Sequence, residues 1–98
     1  MAQSEKSIEN SIKKYLNEIG GYVIKYHGGA YSRVGVPDIL VCYRGVFLGI
    51  EVKNAIGKTS PLQDANIELI KKAGGYSIVA RSLQEVKELI KEVDQSFS

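Results

Sequence analysis

Apolar residues recur every three or four positions through the first twenty residues, which is the spacing of one face of a helix. They are Ile8, Ile12, Tyr15, Leu16 and Ile19. The pair Gly20-Gly21 then predicts the end of this helix. Residues 22–27 are rich in β-forming side chains and predict a strand, and a glycine-containing loop is expected over residues 28–37.

Two further apolar runs, residues 39–43 and 47–52, flank the dipeptide Arg44-Gly45 and predict a β-hairpin. If these two are the central turn residues, pairing outward from the turn places Asp38 directly opposite Glu51. A four-residue loop gives the same register, whereas a loop of three or five residues does not. The position of these two carboxylates relative to each other therefore depends on the turn.

The second half of the chain carries two helix-start signals. Residues 60–63 place a serine at an N-cap, a proline at the first helical position and a glutamine at the third. The helix that follows is expected to end at Gly74-Gly75. The residues on its inward-facing side are expected to be Leu62, Asn66, Leu69, Ile70 and Ala73. Residues 76–80 predict a strand. A second capping box at residues 82–85 opens a last helix with the apolar stripe Leu83, Val86, Ile90 and Val93.

The order α-β-β-β-α-β-α predicts an α/β fold in which helices flank a mixed four-stranded sheet. Ninety-eight residues are the length of one ordinary domain, so a single domain over residues 1–98 is expected, with loose ends at 1–3 and 95–98. No apolar run is long enough to cross a bilayer, and the polar start is unlike a signal peptide. The lone Cys42, expected in the core, excludes an internal disulfide and favours a cytoplasmic, reducing location.

Three residues near the predicted hairpin ends carry the candidate chemistry. Glu51 and Lys53 share one face of their strand because strand side chains alternate, and Asp38 would lie across from Glu51. Facing carboxylates repel unless a cation lies between them, and Mg²⁺ or Mn²⁺ suits such oxygen ligands. The alternative is a surface Glu–Lys ion pair beside an aspartate that caps a turn. The apolar neighbours of both strands favour the metal site, since unpaired charge is costly there.

The segments 35–38 (GVPD), 51–53 (EVK), 60–63 (SPLQ) and 74–75 (GG) resemble the VRR-Nuc branch of the PD-(D/E)XK nuclease superfamily over nearly the whole chain. This resemblance implies a restriction-endonuclease-like αβββαβ core with an added C-terminal helix. It also implies a metal-dependent enzyme that hydrolyses phosphodiester bonds.

The resemblance implies a role for each site residue. Asp38 and Glu51 would ligate Mg²⁺ or Mn²⁺ together with the backbone carbonyl of Val52. Lys53 would position or activate the attacking water and stabilise the transition state. Gln63 matches a glutamine at the rim of the family's site, although the same residue could be only the second half of a capping box.

The family also uses a glutamate of the first helix as a metal ligand. Helical geometry places Glu9 on the edge of the apolar stripe and Glu5 within it, one turn earlier. Spacing from Gly20 as in related resolvases selects Glu9, whereas many VRR-Nuc sequences carry their glutamate at the position of Glu5. We favour Glu9, with Glu5 as a helix-start acid that complements the helix dipole.

The net charge of +2 conceals an uneven distribution. Residues 20–60 hold five Lys or Arg and only the two candidate metal ligands as acids. With a metal on those acids, this middle segment would attract phosphate, and the candidate DNA contacts are Lys25, Arg33, Arg44 and Lys58. The alternative for each is ordinary solvated charge. His27 and Tyr31 fall before and within the glycine loop, where a histidine without a ligand is the simpler interpretation.

The resemblance implies a DNA endonuclease that resolves four-way (Holliday) junctions as a homodimer. Two symmetric cuts need two active sites, and a two-fold dimer of a short chain supplies them. Two alternatives remain from the sequence. One is a flap or nicking nuclease of the same fold, and the other is a non-catalytic nucleic-acid-binding module.

Overall fold

A computed structural model describes residues 3–98, so the first two residues of the predicted N-terminal loose end lie outside the described part. The elements follow the predicted order: α1 (Glu5–Glu18), β1 (Tyr22–Lys25), β2 (Ile39–Tyr43), β3 (Val46–Val52), α2 (Pro61–Lys72), β4 (Tyr76–Ala80) and α3 (Leu83–Gln95). None of the helices within residues 3–98 combines the length and apolarity that a membrane crossing needs.

The four strands form one sheet in the order β1-β2-β3-β4. The pairs β1–β2 and β2–β3 are antiparallel, while β3 and β4 run parallel. The connection between the parallel pair contains α2, as parallel strands require a crossover. The predicted mixed sheet flanked by helices is confirmed.

The hairpin turn between β2 and β3 has the predicted two central residues. Arg44 and Gly45 both adopt positive φ angles, 54° and 78°. Positive φ at both central positions is the geometry that matches the twist of the flanking strands. The register therefore pairs Tyr43 with Val46 and Ile39 with Ile50, as predicted. Continuing this register by one residue places Asp38 opposite Glu51.

One face of the sheet is covered by α1 and α3, and the core lies between these layers. Its side chains come from alternate positions of the strands and from the apolar stripes of both helices. The fully buried members include Ile8, Ile12, Leu16, Ile39, Val41, Leu48, Ile50, Val52, Val86 and Val93. Among the strands, β3 contributes most, because it is a central strand and its final five residues are all buried.

The opposite face is only half covered, because α2 packs against β3 and β4. Cys42 points to this face from β2 and is exposed, so the prediction that it belongs to the core is wrong. An apolar neighbourhood in the sequence does not reveal that no helix lies over β1 and β2. The same partial cover leaves Leu62 and Leu69 of α2 half exposed, whereas Ile67 is buried.

Two predicted boundaries also need correction. β1 ends at Lys25 and not at residue 27, because its partner β2 begins only at Ile39; one further bond joins the Tyr26 N–H to the Asp38 carbonyl. The last helix includes Gln95, which was expected to be loose. Buried Val93 and the hydrogen bond from Tyr43 to Asp94 hold this final turn against the sheet.

Candidate active site

The candidate site lies at the end of the sheet where β2 begins and β3 ends. Asp38 immediately precedes β2, Glu51 and Val52 are the last two residues of β3, and Lys53 follows them. Because β2 and β3 are antiparallel, the start of one lies beside the end of the other. The predicted trio is thereby brought to one edge of the sheet.

Pro37 explains why the backbone of Val52 is available at this edge. In the observed register Val52 would pair with Pro37, but proline has no N–H to donate to the Val52 carbonyl. The N–H of Val52 donates instead to Oδ2 of Asp38 at 2.9 Å. The ladder thus ends with the Asp38 carboxylate bound to the N–H of Val52.

The loop before Asp38 is anchored to α2. Asn66 is buried, and its Nδ2 donates to the carbonyls of Val34 at 3.3 Å and Leu62 at 2.9 Å. Gly35 has a φ of 86°, and a Cβ atom there would lie 2.7 Å from the Leu62 carbonyl oxygen. Glycine is therefore required both by the backbone conformation and by the close approach of α2. These contacts fix the direction in which the chain enters Asp38.

Glu51 is the most deeply buried charged residue of the site, with 2% of its surface exposed. Its Oε2 accepts a hydrogen bond from Gln63 Nε2 at 3.1 Å and lies 3.5 Å from Lys53 Nζ. Its Oε1 is buried and has no hydrogen-bond partner within residues 3–98. A buried carboxylate oxygen without a partner is costly, so this atom indicates an interaction that the chain itself does not supply.

The electrostatics of Glu51 agree with that interpretation. Burial raises the pKa of the Glu51 carboxyl, and the negative charge of Asp38 raises it further. The nearby Lys53 ammonium lowers it, but the net result is a pKa of about 7. Two carboxylates held this close favour a bound cation, which would remove the repulsion and return Glu51 to its ionised form.

Gln63 belongs to the capping box of α2 and also contacts the candidate site. Its Oε1 accepts from the Ser60 N–H at 2.8 Å, and Ser60 Oγ accepts from the Gln63 N–H, which completes the capping box of α2. The other end of the same amide donates to Glu51. The capping box therefore fixes the orientation of an amide that contacts the site.

Glu9 reaches the site from α1 through a lysine. It is buried, its Oε1 is 2.7 Å from Lys25 Nζ, and its Oε2 is 3.1 Å from Lys13 Nζ. Lys25 Nζ in turn lies 3.6 Å from Asp38 Oδ1. Burial raises the pKa of Glu9, but hydrogen bonds from Lys25 and Lys13 outweigh it and lower the pKa overall.

Glu5 lies at a different place, beside the loop that follows Lys53. Its Oε2 accepts from the Asn54 N–H at 3.4 Å. Asn54 Oδ1 accepts from the N–H groups of Ile56 and Gly57, which folds the loop into a local turn. Of the two candidate glutamates, Glu9 is the one that the structure links to Asp38.

Arg81 is a residue that no pattern in the sequence singled out. It follows β4, and its Nη1 donates to the carbonyls of Asn54 at 2.6 Å and Gly57 at 2.7 Å. The loop that carries the chain from Lys53 to α2 is therefore held by a side chain from the neighbouring strand. Only the parallel pairing of β3 and β4, which brings residue 81 next to residue 53, makes this contact possible.

The predicted DNA contacts are in different environments. Arg33 and Lys58 are exposed in the loops before Asp38 and before α2, whereas Lys25 is bound to two carboxylates. Arg44 lies in the hairpin turn, roughly 20 Å along the strand from Asp38. It pairs with Asp94 at 3.1 Å and stacks on a phenylalanine ring. His27 and Tyr31 are exposed.

The donor atoms at the sheet end suit a hard divalent cation. They are two facing carboxylates, one of which has a buried oxygen without a hydrogen-bond partner within residues 3–98. Oxygen donors of this kind are those that Mg²⁺ and Mn²⁺ prefer. Within residues 3–98, Glu9 does not join Asp38 and Glu51 in one group of three acidic side chains able to hold an ion. Its role as a direct ligand therefore stays a prediction.

The mixed sheet, its flanking helices and the acidic pair beside a lysine at the end of β3 define a nuclease fold of the VRR-Nuc type. The sequence profile of the archaeal Holliday junction resolvase family (Hjc) matches residues 1–95. The chain therefore belongs to the Hjc family. The resemblance to VRR-Nuc nucleases noted in the sequence is confirmed.

Solved structures agree with this assignment. A VRR_NUC domain is 30% identical with a TM-score of 0.76, and the alignment covers 91% of this chain and 97% of that domain. A second VRR_NUC domain protein is 20% identical with a TM-score of 0.70, covering 93% of this chain and 88% of that one.

The Hjc Holliday junction resolvase of the archaeal hyperthermophile Archaeoglobus fulgidus shares the fold. It is 22% identical with a TM-score of 0.60, and the alignment covers 79% of this chain and 67% of that one. A comparison with curated proteins gives no match.

Proposed function

We propose that the chain is a Mg²⁺- or Mn²⁺-dependent endodeoxyribonuclease that cuts four-way DNA junctions as a homodimer. The observation that carries the proposal is the buried Glu51 carboxylate, which faces Asp38, has one unpartnered oxygen and lies beside Lys53. Membership of the Hjc family supports the junction as the substrate.

Asp38, Glu51 and the Val52 carbonyl would hold the metal ion. When bound, the ion polarises a phosphoryl oxygen and lowers the pKa of a coordinated water. The chain's own part is to present these oxygens in fixed positions. The Val52 N–H holds Asp38 at 2.9 Å, and Gln63 holds one oxygen of Glu51, while the other has no hydrogen-bond partner within residues 3–98 and would be available to the ion.

Lys53 supplies the remaining positive charge. Its Nζ lies 3.5 Å from Glu51 Oε2, and its side chain is 16% exposed, so the ammonium stays at the site. From there it can orient a water molecule and stabilise the negative charge that develops on the phosphate. Arg33 and Lys58, which are exposed in the loops before Asp38 and before α2, would bind the DNA backbone independently of sequence.

The homodimer follows from the substrate. Symmetric resolution of a junction requires two cuts, and the candidate residues of one chain form one site. A two-fold dimer would present two such sites to the same junction. Sedimentation equilibrium tests this part, and a protein that is monomeric at micromolar concentration with and without junction DNA would contradict it.

The direct test is cleavage of a synthetic mobile four-way junction in Mg²⁺ by the wild type and by Asp38→Asn, Glu51→Gln and Lys53→Ala. We expect each substitution to lower the cleavage rate at least a hundredfold, because each removes a metal ligand or the neighbouring cation. Glu68→Gln, an exposed acid of α2, is the control and should cut like the wild type.

Unchanged cleavage by the three site variants would overturn the proposed site. Binding of the junction without any product in Mg²⁺ or Mn²⁺ would support the non-catalytic module instead.

A further inference from the structure

A tight turn over residues 54–57 follows Lys53, and hydrogen bonds hold it in one shape. Asn54 Oδ1 accepts from the N–H groups of Ile56 at 3.2 Å and Gly57 at 2.7 Å. Arg81 Nη1 donates to the carbonyls of Asn54 at 2.6 Å and Gly57 at 2.7 Å, so a side chain from outside the turn holds both of its ends. The segment is therefore a defined structure and not a free loop.

This turn lies against the stem of Lys53. A Cβ atom on Gly57 would lie 2.9 Å from Glu5 Oε2 and 3.3 Å from Lys53 Cδ. Glycine therefore allows the turn to approach the lysine whose ammonium is 3.5 Å from Glu51. The tip of the turn is thus held at a fixed position beside the candidate site.

The tip carries Ile56, whose side chain the fold does not use. Ile56 is 86% exposed, and only its backbone N–H takes part in the hydrogen bonds of the turn. A single exposed apolar residue is common on protein surfaces. Here, however, hydrogen bonds from two other residues hold that apolar side chain in water next to a proposed active site. This placement indicates a contact that the chain makes with something else.

The surroundings of Ile56 favour DNA as the partner. Lys53 precedes it, the exposed Lys58 follows it, and residues 52–63 contain no acid. Proteins that open or kink DNA combine cationic contacts to phosphates with an apolar side chain, isoleucine among them, that inserts between bases. A protein partner would need a larger apolar patch, and the turn adds only the exposed Ala55 to Ile56.

We propose that Ile56 is an apolar wedge that packs against the bases at the branch point of the DNA and determines the preference for branched substrates. The inference rests on the proposed function, in which branched DNA is the substrate. In a linear duplex a wedge has to separate stacked base pairs, which costs free energy. At a branch point the stack is already interrupted, so the same contact costs less. Ile56 should therefore stabilise a bound junction more than a bound duplex.

The fluorescence of 2-aminopurine at the branch point of a four-way junction tests this inference, because this base becomes brighter when it loses its stacked neighbours. The Asp38→Asn protein in Mg²⁺ should bind the junction without cutting it and increase the fluorescence. Adding Ile56→Ser to this protein should remove most of the increase. It should also weaken junction binding about tenfold and change duplex binding less than about twofold, since only the junction accepts the wedge.

Two further variants separate the wedge from a general effect of the substitution. Ile56→Leu keeps an apolar side chain of the same size and should retain both the fluorescence increase and the junction affinity. Phe97→Ser is the matched control, because it removes another partly exposed apolar side chain, which lies under Arg44 at the hairpin end of the sheet. It should behave like the parent protein.

An unchanged fluorescence increase in Ile56→Ser would overturn the inference. Equal loss of junction and duplex affinity, or an Ile56→Leu variant that behaves like Ile56→Ser, would overturn it as well. A lower sedimentation mass of Ile56→Ser without DNA would instead assign Ile56 to a contact between two copies of the chain, which also contradicts the wedge.

These outcomes are distinct from failure of the proposed function. A wild type that cuts no junction in Mg²⁺ or Mn²⁺, together with the expected fluorescence changes, would refute the nuclease and leave the wedge in place. Metal-dependent cleavage of the junction, combined with any of the overturning results, would refute only the role of Ile56.

Discussion

At the residue scale, the candidate site contains two carboxylates whose negative charges are only partly compensated by neighbouring groups of the chain. Glu51 has one oxygen held by Gln63 and Lys53 and another with no partner within residues 3–98. Asp38 is held by a backbone N–H on one oxygen and lies near Lys25 on the other. These contacts give each carboxylate a fixed orientation before any ion binds, which is what a preorganised metal site needs.

This arrangement predicts a pH-dependent effect of Glu51→Gln on stability. The Glu51 pKa is raised from 4.5 to about 7 by burial and by Asp38, so the unfolded chain loses this proton at lower pH than the folded chain. The stability of the wild type therefore falls as the pH rises from about 4.5 to about 7. In EDTA at pH 8, Glu51→Gln should have a free energy of unfolding roughly 1–3 kcal/mol above the wild type.

Urea unfolding at pH 8 and pH 4 measures this difference, which should disappear at pH 4 where both states are protonated. Glu68→Gln, an exposed carboxyl, should change little at either pH. A Glu51→Gln variant that is less stable than the wild type at pH 8 would contradict the electrostatic account of the site.

The sequence allowed the main residues of the candidate site to be proposed but did not reveal their contacts. Glu51 and Lys53 could be selected because side chains alternate along a strand. Asp38 could be added because the Arg44-Gly45 turn, which is visible in the sequence, sets the register of the hairpin. Lys25 appeared only as one of several cations near the middle of the chain, since its contact with Glu9 joins residues from two elements whose packing no local pattern reveals. Arg81 had no local signal, because its partners are backbone carbonyls 24 and 27 residues away.

At the scale of elements, the predictable features were those with strong local signals. The two-residue turn fixed the β2–β3 register, and the residues of the Ser60 capping box fixed the start of α2. The exposure of Cys42 was not predictable, because it depends on which strands α2 covers. The end of α3 likewise depends on Tyr43 and Arg44, which hold Asp94 from the distant hairpin.

The start of α2 allows the structural and chemical roles of Gln63 to be separated. Ser60→Ala and Gln63→Ala each remove half of the capping box and should each lower the free energy of unfolding by about 1 kcal/mol. Only Gln63→Ala also removes the hydrogen bond to Glu51, so it alone should slow junction cleavage, by roughly tenfold.

Urea unfolding and single-turnover cleavage of the same two proteins check this prediction. Equal cleavage rates for the two variants would show that Gln63 is only a capping residue.

At the scale of the whole molecule, the fold brings together residues that are distant along the chain. The β1–β2–β3 meander places residues 25, 38 and 51–53 at one end of the sheet, and α1 and α2 approach that end from opposite faces with Glu9 and Gln63. The near-neutral net charge of +2 is consistent with this arrangement, because the acids of residues 20–60 are the two proposed ligands. With an ion bound, this end of the sheet would carry the positive potential that DNA binding requires.

We propose that this end of the sheet is the active site of a metal-dependent nuclease selective for branched DNA. The most direct measurement compares cleavage rates in Mg²⁺ on a four-way junction, a flap, a bubble and a linear duplex of the same sequence, with Asp38→Asn as the inactive control. We expect paired cuts in the junction, at least tenfold slower cutting of the duplex, and no product from Asp38→Asn. Equal cutting of all four substrates, or cleavage by Asp38→Asn at the wild-type rate, would contradict it.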